Sequence, residues 1–241
     1  MIEYLRETGS TNADLLHRLN AGDAVPEGHW LVADRQTEGR GRQGREWFDG
    51  IGNFMGSTLV RRRPGDPIAE TLSLLAGLAA YEALAWHAPE HCELRLKWPN
   101  DLMANGAKLV GILIEGAADA FVVGIGVNLV SAPDIPGRQT AALSDFGTAP
   151  ERNVFAEDIA RSFAAELERW RATGTASLIR RWTAAAHPQG TRLQVHEPGR
   201  TIVTGSFEGL AEDGALRLRL ADGALRVIHA GDVLLAGNGE D

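Results

Sequence analysis

The chain of 241 residues lacks most features that would place a protein outside the cytoplasm. Cys92 is its only cysteine, which excludes a disulfide framework and a cysteine-based zinc site. The first ten residues have neither the basic start nor the apolar core of a signal peptide. No window reaches the roughly 18 consecutive apolar residues of a membrane span, and residues 72–82 are typical of a buried helix. These absences predict a cytoplasmic protein with no membrane partner.

Acidic residues outnumber basic ones in this chain, 32 to 24, and two local clusters contain several of the arginines. The formal net charge is −8, which argues against DNA or general nucleic-acid binding, because that affinity depends on neutralising phosphates with Lys and Arg. A glycine-threaded arginine cluster in an acidic protein instead indicates a small anionic ligand. The run Arg61–Arg63 is typical of a solvated turn before Pro64, and the alternative is a contact with an acidic partner. The glycine-threaded cluster, which is the other of the two, consists of Arg35, Arg40, Arg42 and Arg45.

Apolar periodicity predicts an α+β main domain over residues 1–184 and a small β-barrel over 185–241. Ser10 or Thr11 is the expected N-cap of the first helix. Helical spacing predicts helices at 13–19, 68–86, 154–172 and 175–185. Apolar runs predict strands at 28–33, 54–60, 94–97, 102–104, 108–115 and 121–129, with a hairpin turn at Asn105-Gly106. Short alternating runs between glycine turns predict the barrel, at 192–196, 200–207, 215–220 and 225–229.

Residues 35–52 form a long segment without periodicity, which indicates a functional loop or disorder. This segment contains G-x-G-x-x-G at Gly39, Gly41 and Gly44. A dinucleotide-binding turn needs a helix directly after these glycines, because the pyrophosphate sits on that helix's N-terminus. The residues that follow have no helical periodicity, so a nicotinamide oxidoreductase is excluded. We expect the glycines to bring the backbone close to a ligand whose anionic groups the arginines bind.

Four other segments place polar residues at the ends of apolar elements, where a ligand pocket needs them. They are S-T-N at 10–12, K-W-P-N-D at 97–101, K-L-V-G-I-L at 108–113 and G-I-G-V-N at 124–128. A fifth motif, Q-x-x-G-R-G-R-x-G-R-x-W, covers residues 36–47. This ordered set resembles the biotin–protein ligases, and the resemblance extends over essentially the whole chain. Each motif alone is modest, but five in this order are highly specific.

The resemblance implies a class II synthetase-like main domain of the biotin–lipoate ligase type, with a mixed sheet and helices, followed by an SH3-like β-barrel. It implies an enzyme that joins biotin to ATP with release of pyrophosphate and then transfers biotin from biotinyl-5′-AMP to a lysine. That lysine would belong to the biotin carrier domain of a carboxylase, and Mg²⁺ would accompany ATP. Only nine residues precede S-T-N, so we expect the monofunctional type without an N-terminal DNA-binding domain. Family members occur as monomers and as dimers, and a homodimer is favoured here.

The resemblance also implies roles for individual residues. Arg42 and Lys108 would be catalytic, holding the biotin carboxylate and the α-phosphate, and Asp101 would contact the metal or receive the acceptor lysine's proton. Trp47 would cover the adenylate, and Asn128 would lie beside the nucleotide. The biotin head and its neighbouring atoms would be held by Ser10, Thr11, Asn12, Gln36 and Arg40. The other residues expected at the substrate site are Gly39, Gly41, Arg45, Lys97, Trp98, Asn100, Gly111 and Gly126.

Taken one at a time, several of these residues have simpler explanations. Lys108 alone is typical of an edge-strand lysine, and Asp101 is typical of turn chemistry. Asn128 could satisfy backbone groups at a strand end. Trp98 is typical of a core or wall residue, and Glu115 of a strand-end surface residue. The joint order of the motifs, rather than any single residue, supports the functional interpretation.

The chain departs from the family pattern directly after the loop tryptophan. Met55 stands where many members have Tyr, while Asn53 and Ser57 are retained, so we expect a different wall in the biotin pocket. The nearest alternative function is a lipoate or octanoate transferase of the same fold, which would need a long apolar tunnel. A ligand-sensing DNA regulator is a second alternative, opposed by the net charge of −8.

Overall fold

A computed structural model describes residues 1–117, 119–197, 199 and 202–235. Seven strands form the main sheet: β1 (Ile2–Thr8), β2 (Trp30–Gln36), β3 (Phe54–Arg61), β4 (Leu94–Lys97), β5 (Asp101–Ala104), β6 (Ala107–Ala117) and β7 (Ala120–Val127). Their order across the sheet is β1-β2-β3-β7-β6-β5-β4. Strands β1 and β2 are parallel, and all other neighbours are antiparallel. Strands β3 and β4 are therefore separated by three strands that follow them in sequence.

One short helix covers one face of this sheet. Helix α1 (Thr11–Asn20) connects the parallel strands β1 and β2, and Ser10 is its N-cap, as predicted, because its hydroxyl accepts a hydrogen bond from the Ala13 N–H. A small core beneath the helix contains Leu15, which is fully buried. The S-T-N residues therefore lie in the first turn of α1, against the sheet.

Two longer helices cover the opposite face and enclose the main core. Helix α2 (Leu72–Ala85) follows a 3₁₀ turn at Ala69–Thr71 and is buried along most of its length, as predicted. Helix α3 (Arg152–Ala185) is interrupted at Gly174, whose φ is 71°. Glycine adopts this conformation without a steric penalty, and the break explains why the sequence predicts two helices.

Five further strands form a second, antiparallel sheet: β8 (Arg192–His196), β9 (Ile202–Leu210), β10 (Leu216–Arg219), β11 (Leu225–Ile228) and β12 (Asp232–Leu235). Their order is β11-β10-β9-β8-β12. Phe207, Leu216 and Val233 of this sheet join the same hydrophobic core as α2 and α3. The predicted order of an α+β domain followed by a small β domain is confirmed. Residues 236–241 of the predicted second domain lie outside the described residues.

Two strands are absent from the prediction. Strand β1 is half-exposed along most of its length, so its polar residues mask the alternation, and β12 has only four residues. The predicted turn is confirmed, with positive φ at Asn105 (45°) and Gly106 (83°). Strand β2 extends to Gln36, so the irregular segment runs from 37 to 53 and contains a single 3₁₀ turn. In the described part of the chain, no helix is long and apolar enough to cross a membrane.

Candidate active site

A cavity of about 550 Å³ lies on the α1 side of the main sheet. Residues of β3, β6 and β7 form its floor, residues 37–53 (the arginine loop) cover it, and β12 of the small domain forms a wall. The segment 133–140 also lines it. Every residue that the sequence predicts for the site lines this cavity except Gly39. Gly39 lies at the base of the loop, where its carbonyl accepts a hydrogen bond from the Trp47 N–H at 2.9 Å.

Strand register places one row of predicted residues straight across the floor of the cavity. Lys97 pairs with Asp101, Asp101 with Gly111, Gly111 with Gly126, and Gly126 with Met55. Residues directly opposite each other on neighbouring strands point to the same face of a sheet. This sheet row therefore collects residues from three separate motifs, together with Met55, on one surface.

The chain has only two lysines, and both contact the carboxylate of Asp101. Lys108 Nζ lies 2.6 Å from Asp101 Oδ1, and Lys97 Nζ lies 3.2 Å from Oδ2. Burial opposes ionisation of Asp101, but the two ammonium groups outweigh it, so the pKa of this carboxyl lies below its usual value. The cluster keeps one net positive charge in a site where the Asp101 side chain is only 13% exposed.

The arginine loop folds back on itself, and two of its arginines contact residues outside the loop. The Gly41 N–H donates to the Arg45 carbonyl at 2.6 Å, which closes the loop tip. Arg42 Nη1 donates to Asn100 Oδ1 at 3.0 Å, next to Asp101. Arg45 Nη2 lies 2.9 Å from Asp232 Oδ1 in strand β12. Arg42 therefore contacts the residue next to Asp101, whose carboxylate the two lysines contact.

Trp47 lies flat on the glycines of the sheet row. A Cβ atom added at Gly111 or Gly126 would overlap the indole ring, so only glycine permits this approach. Lys108 Nζ lies 5.8 Å from the ring centroid, within cation–π range. The indole N–H is buried and has no hydrogen-bond partner among the described residues. Gly111 and Gly126 therefore contact the loop tryptophan itself.

A buried polar cluster lies where the first turn of α1 meets the sheet. Thr11 N–H and hydroxyl both contact Gln36 Oε1, at 2.8 and 3.0 Å, and the Thr11 and Ser57 hydroxyls are 2.6 Å apart. Ser57 donates to Asn12 Oδ1 at 2.6 Å, and Asn12 Nδ2 donates to Glu115 Oε2 at 2.8 Å. The expectation that Glu115 is a surface residue is wrong, because it is half-buried and completes this network. Hydrogen bonds within the protein therefore fix the arrangement of these polar groups.

Asn128 lies at another part of the cavity, beside residues 133–140. It is 2% exposed, and its Nδ2 donates to the Ala141 carbonyl at 3.2 Å. Its Oδ1 is buried and has no hydrogen-bond partner within the described ranges. The Lys108 N–H donates to the Gln139 carbonyl at 2.8 Å, which fixes the neighbouring Arg138 close to β6. Arg138 and Arg40 line the cavity, and neither side chain has a polar partner in the part of the chain that the structure describes.

A family model described as the biotin/lipoate A/B protein ligase family matches residues 6–129, more than half of the chain. The chain belongs to this family. A model of the biotin protein ligase C-terminal domain matches residues 190–235, which contain the five strands of the second sheet. The biotin/lipoate ligase fold that the motifs predict is therefore confirmed, and the protein is a ligase of this family.

Relatives and solved structures within the family match nearly the whole chain. A biotin–[acetyl-CoA-carboxylase] ligase from Paracoccus denitrificans is 37% identical over 97% of this chain and 100% of its own length. The enzyme of that name from Mycobacterium tuberculosis is 36% identical, over 97% of this chain and 88% of its own. The structure of a biotin protein ligase from Aquifex aeolicus in complex with biotin and ATP has a TM-score of 0.82, 27% identity and 97% coverage of each chain.

Sequence motifs miss three parts of this ligase site. Asp232 and Arg138 carry no motif signal, because each is a single charged residue outside the five motifs. Met55 is predicted only as a departure from the family, yet it is 1% exposed and ends the sheet row.

Arg61–Arg63 lie at the far end of β3, where Arg61 pairs with Asp119 at 2.6 Å, Arg63 with Glu27, and Arg62 stacks on Phe121.

Proposed function

We propose that this protein is an ATP-dependent biotin–protein ligase. It would activate biotin as biotinyl-5′-AMP and then transfer it to a lysine of a carboxylase biotin carrier domain. The observation that carries the proposal is the convergence of Lys97, Lys108 and Arg42 on residues 100–101, at the centre of the cavity. This cationic centre is where a carboxylate and an α-phosphate would have to meet.

The first step joins two anions. A biotin carboxylate oxygen attacks the α-phosphorus, the bond from that phosphorus to the bridging oxygen of the β-phosphate breaks, and pyrophosphate leaves. Lys108 and Arg42 would hold the reacting oxygens from opposite sides, and each charge-assisted hydrogen bond is worth roughly 1.5–3 kcal/mol. Arg40 and Arg138, which lack partners among the described residues, would be free to contact the remaining phosphates. Positioning and charge stabilisation would supply the catalysis.

The polar cluster of Thr11, Asn12, Gln36 and Ser57 favours biotin over the alternative acids. Biotin ends in a ureido head with donors and an acceptor, whereas lipoate and octanoate end in apolar tails. A buried polar group left without a partner costs about 1–3 kcal/mol, so an apolar tail in contact with this cluster would bind poorly. We therefore favour biotin over lipoate or octanoate.

The nucleotide would occupy the part of the cavity beside Asn128. Oδ1 of Asn128 is a buried hydrogen-bond acceptor, which suits a hydrogen bond from an exocyclic amine of the base. Mg²⁺ would enter as part of the ATP complex, since the described residues contain no group of three acidic, His or Cys side chains arranged for a metal. Both oxygens of Asp101 contact lysines, so a metal role for Asp101 stays a prediction that requires those contacts to change.

The second step needs a neutral amine. The acceptor lysine, with a reference pKa near 10.4, must lose a proton before its nitrogen attacks the acyl carbonyl and AMP leaves. The lowered pKa of Asp101 makes it a weak base, and its role as proton acceptor stays a prediction. The arginine loop and Trp47 would exclude water from the mixed anhydride until the carrier arrives.

The remaining partner assignments stay predictions. A homodimer, the cytoplasmic location and a carrier contact at Arg61–Arg63 follow from the sequence alone. The three arginines lie at the opposite end of β3 from the cavity, and each already has a partner within the chain. Reversing all three charges should slow carrier biotinylation at low salt if they bind the carrier, and an unchanged rate would contradict that contact.

The decisive experiment measures pyrophosphate release with Mg·ATP and no carrier, comparing biotin, lipoate and octanoate. We expect a burst of about one equivalent with biotin alone, because the closed site should retain the adenylate. A burst with lipoate would support acyl-adenylate formation but would contradict biotin as the substrate. No release with any of the three acids would contradict the proposed function, and the Lys108→Ala variant supplies the background rate.

A further inference from the structure

The contact between Arg45 and Asp232 joins the arginine loop to the small β domain, 187 residues later in the chain. Arg45 Nη2 donates to Asp232 Oδ1 at 2.9 Å, and the same guanidinium donates through Nε to the Arg42 carbonyl at 3.1 Å. One side chain therefore connects β12 directly to the backbone of Arg42, the residue whose own side chain contacts Asn100. The pair is a third exposed on each side, at 35% and 33%.

Asp232 is on a part of the small domain that is fixed to the main domain. Strand β12 pairs with β8, and the next residue, Val233, is 4% exposed in the common core. Trp98 of the K-W-P-N-D motif donates from Nε1 to the Gly214 carbonyl at 3.0 Å, which anchors a turn of the small domain beside the sheet row. The carboxylate of Asp232 is therefore a fixed point relative to the two lysines that line the cavity.

The loop tip has few other attachments. Among the described residues, the side chains of residues 40–46 make polar contacts outside the loop at only two positions, Asn100 and Asp232. The backbone contacts within the tip are internal, such as the Gly41 N–H to the Arg45 carbonyl. Losing one of the two attachments should therefore change how long the loop stays closed without changing the sheet row.

We propose that Asp232 is a positioning residue, which holds the arginine loop closed over the cavity through Arg45. It does not contact the reacting atoms in this role. Its consequence for the reaction rests on the proposed function: a loop held closed retains the acyl-adenylate and keeps water from it. An exposed pair of this kind contributes a small free energy, so breaking it should open the loop about threefold to fivefold more often.

The first test needs no substrate. Trypsin cleaves after arginine, and the loop tip contains Arg40, Arg42 and Arg45. In the ligand-free protein, we expect Asp232→Asn to be cut at these sites about threefold faster than the wild type, with fragments identified by mass spectrometry. Asp232→Glu keeps the charge and should stay near the wild-type rate. Glu212→Gln removes an equivalent charge from an exposed position of the same domain and should leave cleavage unchanged.

The second test measures retention of the intermediate. After one turnover without carrier, labelled biotinyl-5′-AMP should leave Asp232→Asn about threefold to fivefold faster than the wild type. Equal cleavage and equal retention in Asp232→Asn and the wild type would overturn the inference, as would an equal effect of Glu212→Gln. If the wild type forms no adenylate, the proposed function fails, and the cleavage rates alone still decide the role of Asp232.

Discussion

The sheet row and the arginine loop line the same cavity but are positioned in different ways. Lys97, Asp101, Gly111, Gly126 and Met55 are placed by backbone hydrogen bonds between strands, which do not depend on their side chains. The loop tip is placed by the side chains that also serve the site. Substitutions in the row should therefore change chemistry in a fixed frame, whereas substitutions in the loop should change binding and closure together.

The largest effect is expected from the strand side. Lys108→Ala should lower the adenylation rate about 100-fold or more, because it removes a preorganised charge from the reacting centre. The fold should persist, since Lys97 still pairs with Asp101. Pre-steady-state pyrophosphate release measures the rate, and Arg180→Ala, on the exposed face of α3, is the matched control. A normal rate in Lys108→Ala would show that Lys108 does not take part in the chemistry.

The corresponding loop substitution is Arg42→Ala. It should weaken biotin and adenylate binding about tenfold to a hundredfold, the worth of one charge-assisted hydrogen bond. The unfolding free energy should hardly change, because the loop buries little core. Equilibrium binding of biotin gives the effect, and Arg42→Lys should recover only part of it because an ammonium lacks the planar fork. If Arg42→Ala binds biotin with wild-type affinity, Arg42 does not contribute to biotin binding.

A substitution between the two regions tests their contact. Gly126→Ala places a methyl group where the Trp47 ring lies, so the ring must leave the floor, and adenylate retention should fall about tenfold. Gly116→Ala is the matched control, because its Cβ would meet only the Arg62 side chain, at 3.7 Å. Adenylate release kinetics compare the two variants. Equal retention of the adenylate by both variants would mean that the contact between Trp47 and the glycines of the sheet row does not help to retain it.

Transfer of biotin to the enzyme's own lysines would show whether an amine that is ion-paired with a carboxylate reacts less than an exposed, unpaired amine. The only lysines of the chain are ion-paired with Asp101 in the row, so turnover without carrier should leave both unmodified. Gln43→Lys introduces an exposed amine at the loop tip, and we expect peptide mass spectrometry to find biotin there. Biotin on Lys97 or Lys108 of the wild type would show that these lysines leave Asp101 during the reaction.

The smallest effect is expected on the free energy of unfolding, through the buried side chain of His187. Burial, followed by the nearby charges of Lys97 and Arg95, lowers the pKa of His187 to about 4 from its usual 6.5. The unfolded chain therefore binds a proton at higher pH than the folded chain, and stability falls as pH drops from 6.5 toward 4. Between pH 7 and pH 5 this residue should remove about 2 kcal/mol, and His187→Gln should show a correspondingly smaller loss. Urea unfolding at both pH values measures the difference, and identical losses would contradict it.

The sequence by itself determined the chemistry available to this protein. The five motifs name most of the polar residues that line the cavity, because each motif is a local arrangement of a few residues around a strand end or a turn. The same locality explains the correct helices, the Asn105-Gly106 turn and the break near Gly174. Where the local signal was weak, in the half-exposed strand β1 and the four-residue strand β12, the prediction failed.

Only the tertiary structure decided which of these residues meet. The sheet row depends on β3 pairing with β7, two strands separated by more than fifty residues, and no short pattern encodes that register. Arg45 reaches Asp232, 187 residues later in the chain, for the same reason. Long-range partners are selected by the burial of the whole core, in which α2, α3 and both sheets share one set of contacts, and that selection is a property of the folded chain as a whole.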